Sequence, residues 1–482
     1  MKSLFTLLLF CSFQAIGQKI YLPYEVERSA EPAGGLSYLN QFVNANLQIP
    51  FKSSVNGLNS RVFVKGVVEP DGTMTNLEIV RGTDSLCNQE ALRVIRLFRA
   101  WKPALVQGQA VRQSVSYPVA FKAAARSNYD STSNSVTEHF DSKYAPTTDL
   151  KRAEYRSTLP LDEKGYVTND IRYEQKQGNK WKPIGTAAFA KNNVWFKSEY
   201  IGEGIDSVQA YSISARDKNM ASHAAEATFQ PNGSLLDYIE YDADNKASLH
   251  KKYDLNGIVR EMMLFSDSLK TEIKWYDNGQ IKAVKETLLA KQTDKEQVAY
   301  INAWERDGTQ TVKDGDGYWK TTEKNYDGKL LTEQGRVISG AKNEKWTGKL
   351  ADSTLIYEET YELGVLQKGI SYQDGQKTEY TQAQISPQFK GGINEFYKFL
   401  GRNIVYPTDA ARRGVAGRVQ LSFVVCEDGS LCEYKVEKSA GFGLDEEALR
   451  VVKKMNGSWE PGLLRGKPVR VRYNVPINFQ VQ

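Results

Sequence analysis

Near the end of the chain the apolar positions change period several times. Val419, Leu421, Phe423 and Val425 alternate with Gln420, Ser422 and Val424, the pattern of a strand with one buried face. Asp428-Gly429 turns the chain, and Cys432, Tyr434 and Val436 alternate with Glu433, Lys435 and Glu437 on the way back. Leu444, Ala448, Val451, Val452 and Met455 then recur at helical spacing. Asp445, Glu446 and Glu447 fill the first turn and Lys453 and Lys454 the last, so the charges complement the helix dipole at both ends. Trp459-Glu460-Pro461-Gly462 ends that helix. A final strand follows, with Val469, Val471, Tyr473, Val475, Ile477, Phe479 and Val481 on one face and Arg470, Arg472, Asn474, Pro476, Asn478 and Gln480 on the other. Upstream, Gly391-Gly392 enters a helix over 393–400 that leads to Tyr406-Pro407. The order helix, strand, strand, helix, strand predicts a small α+β module, two helices on one face of a three-stranded antiparallel sheet.

The module occurs twice. A shift of 357 lays Gly35 on Gly392, Pro50 on Pro407, Asp71-Gly72 on Asp428-Gly429, and Glu90-Ala91-Leu92-Arg93-Val94 on Glu447-Ala448-Leu449-Arg450-Val451. One inserted residue moves the shift to 358, and Trp101, Pro103, Gly108, Val111-Arg112, Pro118 and Phe121 then fall on Trp459, Pro461, Gly466, Val469-Arg470, Pro476 and Phe479. Such a spacing is far too long for a solenoid period and marks a duplicated module flanking an insert. The expected boundaries are 1–17 for a leader, 18–122 for the first copy, 123–149 for a polar linker, 150–382 for a β-rich region and 383–482 for the second copy.

Within the insert an aromatic residue precedes a turn glycine at intervals: Phe229 to Gly233, Tyr253 to Gly257, a one-shorter Tyr276 to Gly279, and Trp304 to Gly308. Asn-Gly and Asp-Gly suit type I′ hairpin turns, so each unit reads as strand, turn, strand.

Composition narrows the function. The 482 residues are 40% apolar, enough for ordinary buried cores in about three domains. Lys2, the apolar run 4–13 and Ala15-Ile16-Gly17 have the layout of a cleavable export leader, which predicts Gln18 as the mature start and a periplasmic location. No other run approaches the length of a membrane helix. With Cys11 removed, Cys87, Cys426 and Cys432 remain, an odd number that argues against a disulfide framework. If Val425 and Cys432 both face inward, Cys426 and Cys432 lie on opposite faces of the hairpin and do not pair. Cys87 takes the place of Leu444 and is expected to be buried. His139, His223 and His250 are scattered, and neither metal nor cofactor spacing occurs. Residues 383–482 carry 15 Lys and Arg against 10 Asp and Glu, so they hold the whole net excess of +5. For an exported chain that points to an acidic peptide or anionic surface, not to nucleic acid. No nucleophile, base and metal constellation emerges, so a binding protein is expected, not an enzyme.

The spaced pattern Tyr406-Pro407, Gly417-x-Val419, Asp428-Gly429, Asp445-x-x-Ala448, Trp459-x-Pro461, Gly466-Lys467-Pro468-Val469 and Pro476-x-x-Phe479 resembles the C-terminal domain of TonB energy transducers. The resemblance implies capture of an extended peptide of an outer-membrane receptor, added as a strand beside the last strand and linked to energy-dependent transmembrane transport. The contacting residues it implies are Val469, Arg470, Val471, Arg472, Tyr473, Asn474 and Val475, with Tyr406 and Pro407 nearby. Pro476 agrees independently, since proline inside a strand is tolerated mainly on an edge. An edge strand also serves a homodimer, which is the competing use. Two features depart from TonB proper: no anchor with a Pro-rich spacer is evident, and Ile49 stands where the second copy has Tyr406. The hairpin units resemble MORN-like repeats. They imply a second reading, a structural or immunity-type surface protein in which the repeats make the contacts and transport plays no part.

Overall fold

In the computed structural model, which describes residues 19–125, 128–202, 204–289, 297–325, 328–373 and 375–480, the alternating runs of the second copy are the strands Gly417–Val425, Leu431–Lys438 and Val471–Phe479. The helices Gly392–Asn403 and Leu444–Lys454 supply the other side of its core, and every buried member of that core lies between Phe389 and Phe479. The first copy repeats this arrangement with Asn56–Val68, Met74–Arg81 and Gln109–Ala125 and the helices Leu36–Asn46 and Ser85–Leu97. In the latter helix the Asp84 carboxylate caps the amide of Cys87 at 2.9 Å, and Cys87 is fully buried, as expected. Short helices, Phe51–Ser54 and Thr408–Arg412, follow Pro50 and Pro407; the sequence reading had not foreseen them. The expected leader and Val481 lie outside the described residues.

The last strand is shorter than its alternation predicted. Val469 belongs to a separate hairpin, Gly462–Leu464 with Lys467–Val469, and the strand begins at Val471. The facing of the cysteines is corrected too. Ser422 opposes Lys435 but Val424 opposes Cys432, so the returning strand carries one extra residue, with Glu433 at φ 50°. A bulge reverses the alternation beyond it. Leu431 turns inward and is buried, while Cys432 faces outward with Val424, on the face of Cys426.

The insert divides between two compact units, Met1–Gly315 and Asp316–Gln482, rather than standing as a region of its own over 150–382. In the first unit a meander of antiparallel strands runs as far as Gln310–Lys313. The expected linker at 123–149 is partly strand, because Ser135–Phe140 pairs with Tyr155–Pro160 along its whole length and Val136 is buried. Its polar composition hid the strand, in which Glu138 alone is exposed.

The repeated turns are not type I′. In the first of them the Gly233 amide donates to Gln230 O (2.9 Å) and the Gln230 amide to Ser234 O (2.8 Å); the turns at Gly257, Gly279 and Gly308 repeat the pattern. Only the glycine has positive φ, 74° to 88° across the four, so each turn is type I closed by a glycine bulge. The buried aromatic residues are Phe229, Tyr253, Trp275 and Trp304. Trp275, not Tyr276, is the third, which restores the four-residue spacing to Gly279. These rings join the core of the first copy: Trp275 packs edge-on to Phe42 at 6.5 Å and Trp304 to Tyr38 at 4.6 Å. Asn46 Oδ1 accepts the Val259 amide (2.8 Å) and Lys251 Nζ donates to Ala45 O (2.8 Å), tying the end of that helix to the hairpins.

The second unit holds a six-strand meander from Asp316–Lys324 to Gln376–Tyr380. Here Gly335, Gly348 and Gly369 stand directly opposite Trp346, Tyr357 and Tyr380. A Cβ on Gly348 would lie 2.0 Å from the Tyr357 ring, so each glycine makes the floor on which an aromatic side chain lies.

Candidate functional site

In the second copy the strand order is Leu431–Lys438, Gly417–Val425, Val471–Phe479. The last strand therefore pairs on one side only, and its other edge has no strand neighbour among the described residues. Edges present alternate unpaired N–H and C=O groups, which an extended chain satisfies by joining the ladder. Val471, Tyr473 and Val475 oppose Val425, Phe423 and Leu421. Val475 is buried, while Val471 and Tyr473 are half-buried. The Tyr473 ring packs against Trp459 at 4.8 Å and Phe423 at 5.7 Å, which fixes the inner face of the edge.

The arginines are engaged within the chain. Arg472 Nη2 lies 2.9 Å from Glu433 Oε2, and Arg470 pairs with the same carboxylate. Arg472 also donates to Ser422 Oγ at 3.2 Å. Two cations on one half-exposed carboxylate leave one positive charge in excess, a weak field once salt screens it. The bulge explains the arrangement, since Glu433 is the extra residue that it turns toward both side chains. Asn474 is exposed on the same face.

Tyr406 and Pro407 lie at the other end of the strand. Tyr406 packs edge-on to Phe479 at 6.0 Å, and its hydroxyl donates to Val415 O at 2.6 Å. Pro407 sits beside Gly443, whose left-handed φ of 82° and missing Cβ admit it. Phe479 opposes Gly417 whereas Val471 opposes Val425, so the two ends are about 27 Å apart at the usual rise per residue. The structure does not bring this pair together with Val471 to Val475.

What holds Tyr406-Pro407 is a clamp present in both copies. Glu447 accepts the Val405 amide (2.6 Å) and pairs with Arg450, which donates to Asn403 O (2.7 Å). In the first copy Glu90 accepts the Gln48 amide (2.6 Å) and pairs with Arg93, which donates to Asn46 O (2.6 Å). Burial raises the Glu447 carboxyl, but the Arg450 side chain and the Val405 amide outweigh it and hold the group below its ordinary value. The repeated Glu-x-x-Arg was visible in the alignment of the copies; its role was not.

Two further residues were missed. Ile393 and Tyr397, four apart on the helix Gly392–Asn403, are 54% and 58% exposed. Phe396 between them is buried against Trp459 at 5.9 Å, and Trp459 in turn meets Tyr473. The signal was that positions 393 and 397 stand off the stripe of Phe396 and Leu400.

The same edge in the first copy is covered. Ile20–Tyr21 pairs in parallel with Arg112 and Gln113, the counterparts of Arg470 and Val471. The residues of the second copy that correspond to Ile20 and Tyr21 are Lys377 and Thr378, and these pair instead with Tyr372 and Ser371 in the hairpin sheet. One copy is thus capped by its own chain, and the other has no such cap among the described residues.

No curated protein matches the chain. The family model of the Gram-negative bacterial TonB protein C-terminal matches it twice, over residues 46–123 and 402–481, so each of the two modules is similar to that domain.

Proposed function

We propose that this is a periplasmic TonB-like binding protein whose second copy captures an extended peptide of an outer-membrane receptor or other envelope partner by strand addition, in the service of energy-dependent transport. The observation that carries this reading is the outer edge of Val471–Phe479, which has no strand neighbour among the described residues where its counterpart in the first copy is occupied. The two family matches support the same reading. No helix among the described residues is long and apolar enough to cross a membrane. Binding, not catalysis, is the proposed activity, with the hairpins, whose sequence resembles MORN-like repeats, as the frame that carries the two modules. Main-chain ladder bonds would supply the affinity, and Tyr473, Ile393 and Tyr397 the apolar contacts for alternate side chains of the peptide.

Hydrogen exchange of the whole chain with and without a TonB-box peptide tests this. Amides in 471–475 are expected to slow on binding. Protection confined to the helices or to the hairpin sheet would replace strand addition with the scaffold reading.

A further inference from the structure

We infer that the N-terminal strand Ile20–Tyr21 is a built-in ligand of the first copy, and that its release opens a second peptide-binding edge at Arg112 and Gln113. The inference deepens the proposed strand addition and rests on it for the class of incoming partner, an extended peptide.

Pairings that both copies share belong to the module, and a pairing found in one copy has been added to it. Glu31–Pro32 pairs with Trp101–Lys102, and Gln388–Phe389 pairs with Trp459–Glu460 in the same register. Arg28 bridges to Leu105 as Ile385 pairs with Leu463. Everything from Arg28 onward is therefore module structure. Among the described residues the contact of Ile20–Tyr21 with the last strand has no counterpart in the second copy, so it is an occupant of an edge that the module itself does not pair.

Its attachment suits an occupant that leaves. The ladder spans two residues on a partner strand, Gln109–Ala125, of 17. Ile20 is 41% exposed and Tyr21 half-buried, so neither side chain is sealed into a core. The turn after it is closed by its own contacts, with the Leu22 amide on Glu25 Oε2 at 2.7 Å and Lys19 Nζ 3.0 Å from Glu25 Oε1; these travel with the segment and do not hold it to the sheet. Fixed pairing resumes at Glu27 and Arg28, whose amides both reach Leu105 O. Residues 19–25 thus move as one piece, and the chain bends at Val26, between the closed turn and the pairing at Glu27. A longer peptide, offering more ladder positions than two, displaces it.

The test compares the mature chain with a variant that begins at Val26. The probes are a TonB-box peptide and a synthetic peptide of residues 19–25, each read by binding stoichiometry and by hydrogen exchange over 109–117. The expected result is one TonB-box peptide per mature chain and two per truncated chain, with the synthetic peptide slowing amides at Arg112 and Gln113 in the truncated chain alone. One peptide on both proteins, with the synthetic peptide inert, overturns the inference and leaves the second copy's reading intact. If neither protein takes the TonB-box peptide but the synthetic peptide still protects Arg112 and Gln113, the proposed function fails and the built-in ligand stands. Should truncation abolish cooperative melting, full-length Ile20→Pro with Tyr21→Pro, which removes the strand's amide donors, takes its place under the same criteria.

Discussion

The Arg465 guanidinium lies 3.4 Å from the centre of the Tyr357 ring. Its Nε donates to Glu359 at 3.0 Å and its Nη2 to Glu333 at 3.2 Å, while its carbonyl accepts from Ser371 Oγ at 2.9 Å. Tyr357 and the Glu359 side chain are fully buried. Arg465 and Gly466 form a two-residue turn with φ of 52° and 77°, and a left-handed arginine is uncommon there. The residue is held by what its side chain reaches: through it the second copy docks on the meander of its own unit.

Arg465→Met is therefore expected to destabilise the second unit by about 3 kcal/mol, because two carboxylates lose their cation where one of them is shielded from water. Adding Glu359→Gln should recover part of that loss, since the stranded charge is then gone. Hydrogen exchange over 330–380 reads both. Unchanged exchange in Arg465→Met would mean that the stacked cation contributes nothing.

The two copies should differ when cut out. The buried core of the second lies wholly within 389–479, so residues 383–482 are expected to fold alone and melt cooperatively. The core of the first is shared with Phe229, Tyr253, Trp275 and Trp304, and Gly279 would meet Phe42 and Phe98 within about 3 Å if it carried a Cβ. Residues 18–122 are expected to give an aggregating or molten product that exposes Phe42 and Phe98. A cooperative melt of 18–122 alone, followed by near-ultraviolet circular dichroism, would show that the hairpins are dispensable to it.

The modules were legible because one face of each strand and helix is buried, and burial writes a period into the sequence: Val419 to Val425, and Leu444 to Met455. Cys87 in the place of Leu444 followed from the same logic. What was hidden depends on single residues that break a period. Glu433 adds one residue to a strand and turns Cys432 outward, and Arg470 ends a ladder that the alternation of Val469 and Val471 would have continued. The hairpin turns were placed correctly but typed wrongly, because Asn-Gly serves two turn geometries and only the flanking hydrogen bonds distinguish them. Capture of Ile20–Tyr21 was out of reach, since two residues at an edge carry no periodic signal.

Glu447 gives the second copy a pH dependence of known sign. Its carboxyl is held below the ordinary value in the folded chain, so the stabilisation is fully present above the unfolded value of about 4.3 and is lost as pH falls through the folded one. Glu447→Gln is expected to cost about 1 kcal/mol at neutral pH, after allowance for solvent screening of the partner arginine. The gap between the two proteins should close on acidification below about pH 4. Urea midpoints of residues 383–482 across this range check it, and a constant gap would place the lost stability in packing and not in charge.

The cysteines give the last prediction. Sequence alternation set Cys426 and Cys432 on opposite faces, but the bulge at Glu433 puts both on the outer face of one hairpin, joined by the turn in which the Gly429 amide bonds Cys426 O at 2.9 Å. Both are free thiols and partly exposed. The Cys432 thiol is held above its ordinary value, first by its hydrogen bond with Cys426, and the Arg470 guanidinium, 3.7 Å from Cys432 Sγ, acts against that rise. Diamide is therefore expected to draw two hydrogens from this pair and leave an intrachain Cys426 to Cys432 disulfide, visible by mass spectrometry of unreduced peptides. The buried Cys87 should stay unmodified. Closing so short a loop stabilises the hairpin by about 2 kcal/mol at most. It also pins the bulge that aims Glu433 at Arg470 and Arg472, so binding at the neighbouring edge should become less sensitive to salt. Oxidised protein in which Cys426 and Cys432 are found only in crosslinks to other chains would return them to opposite faces and remove the bulge from the fold.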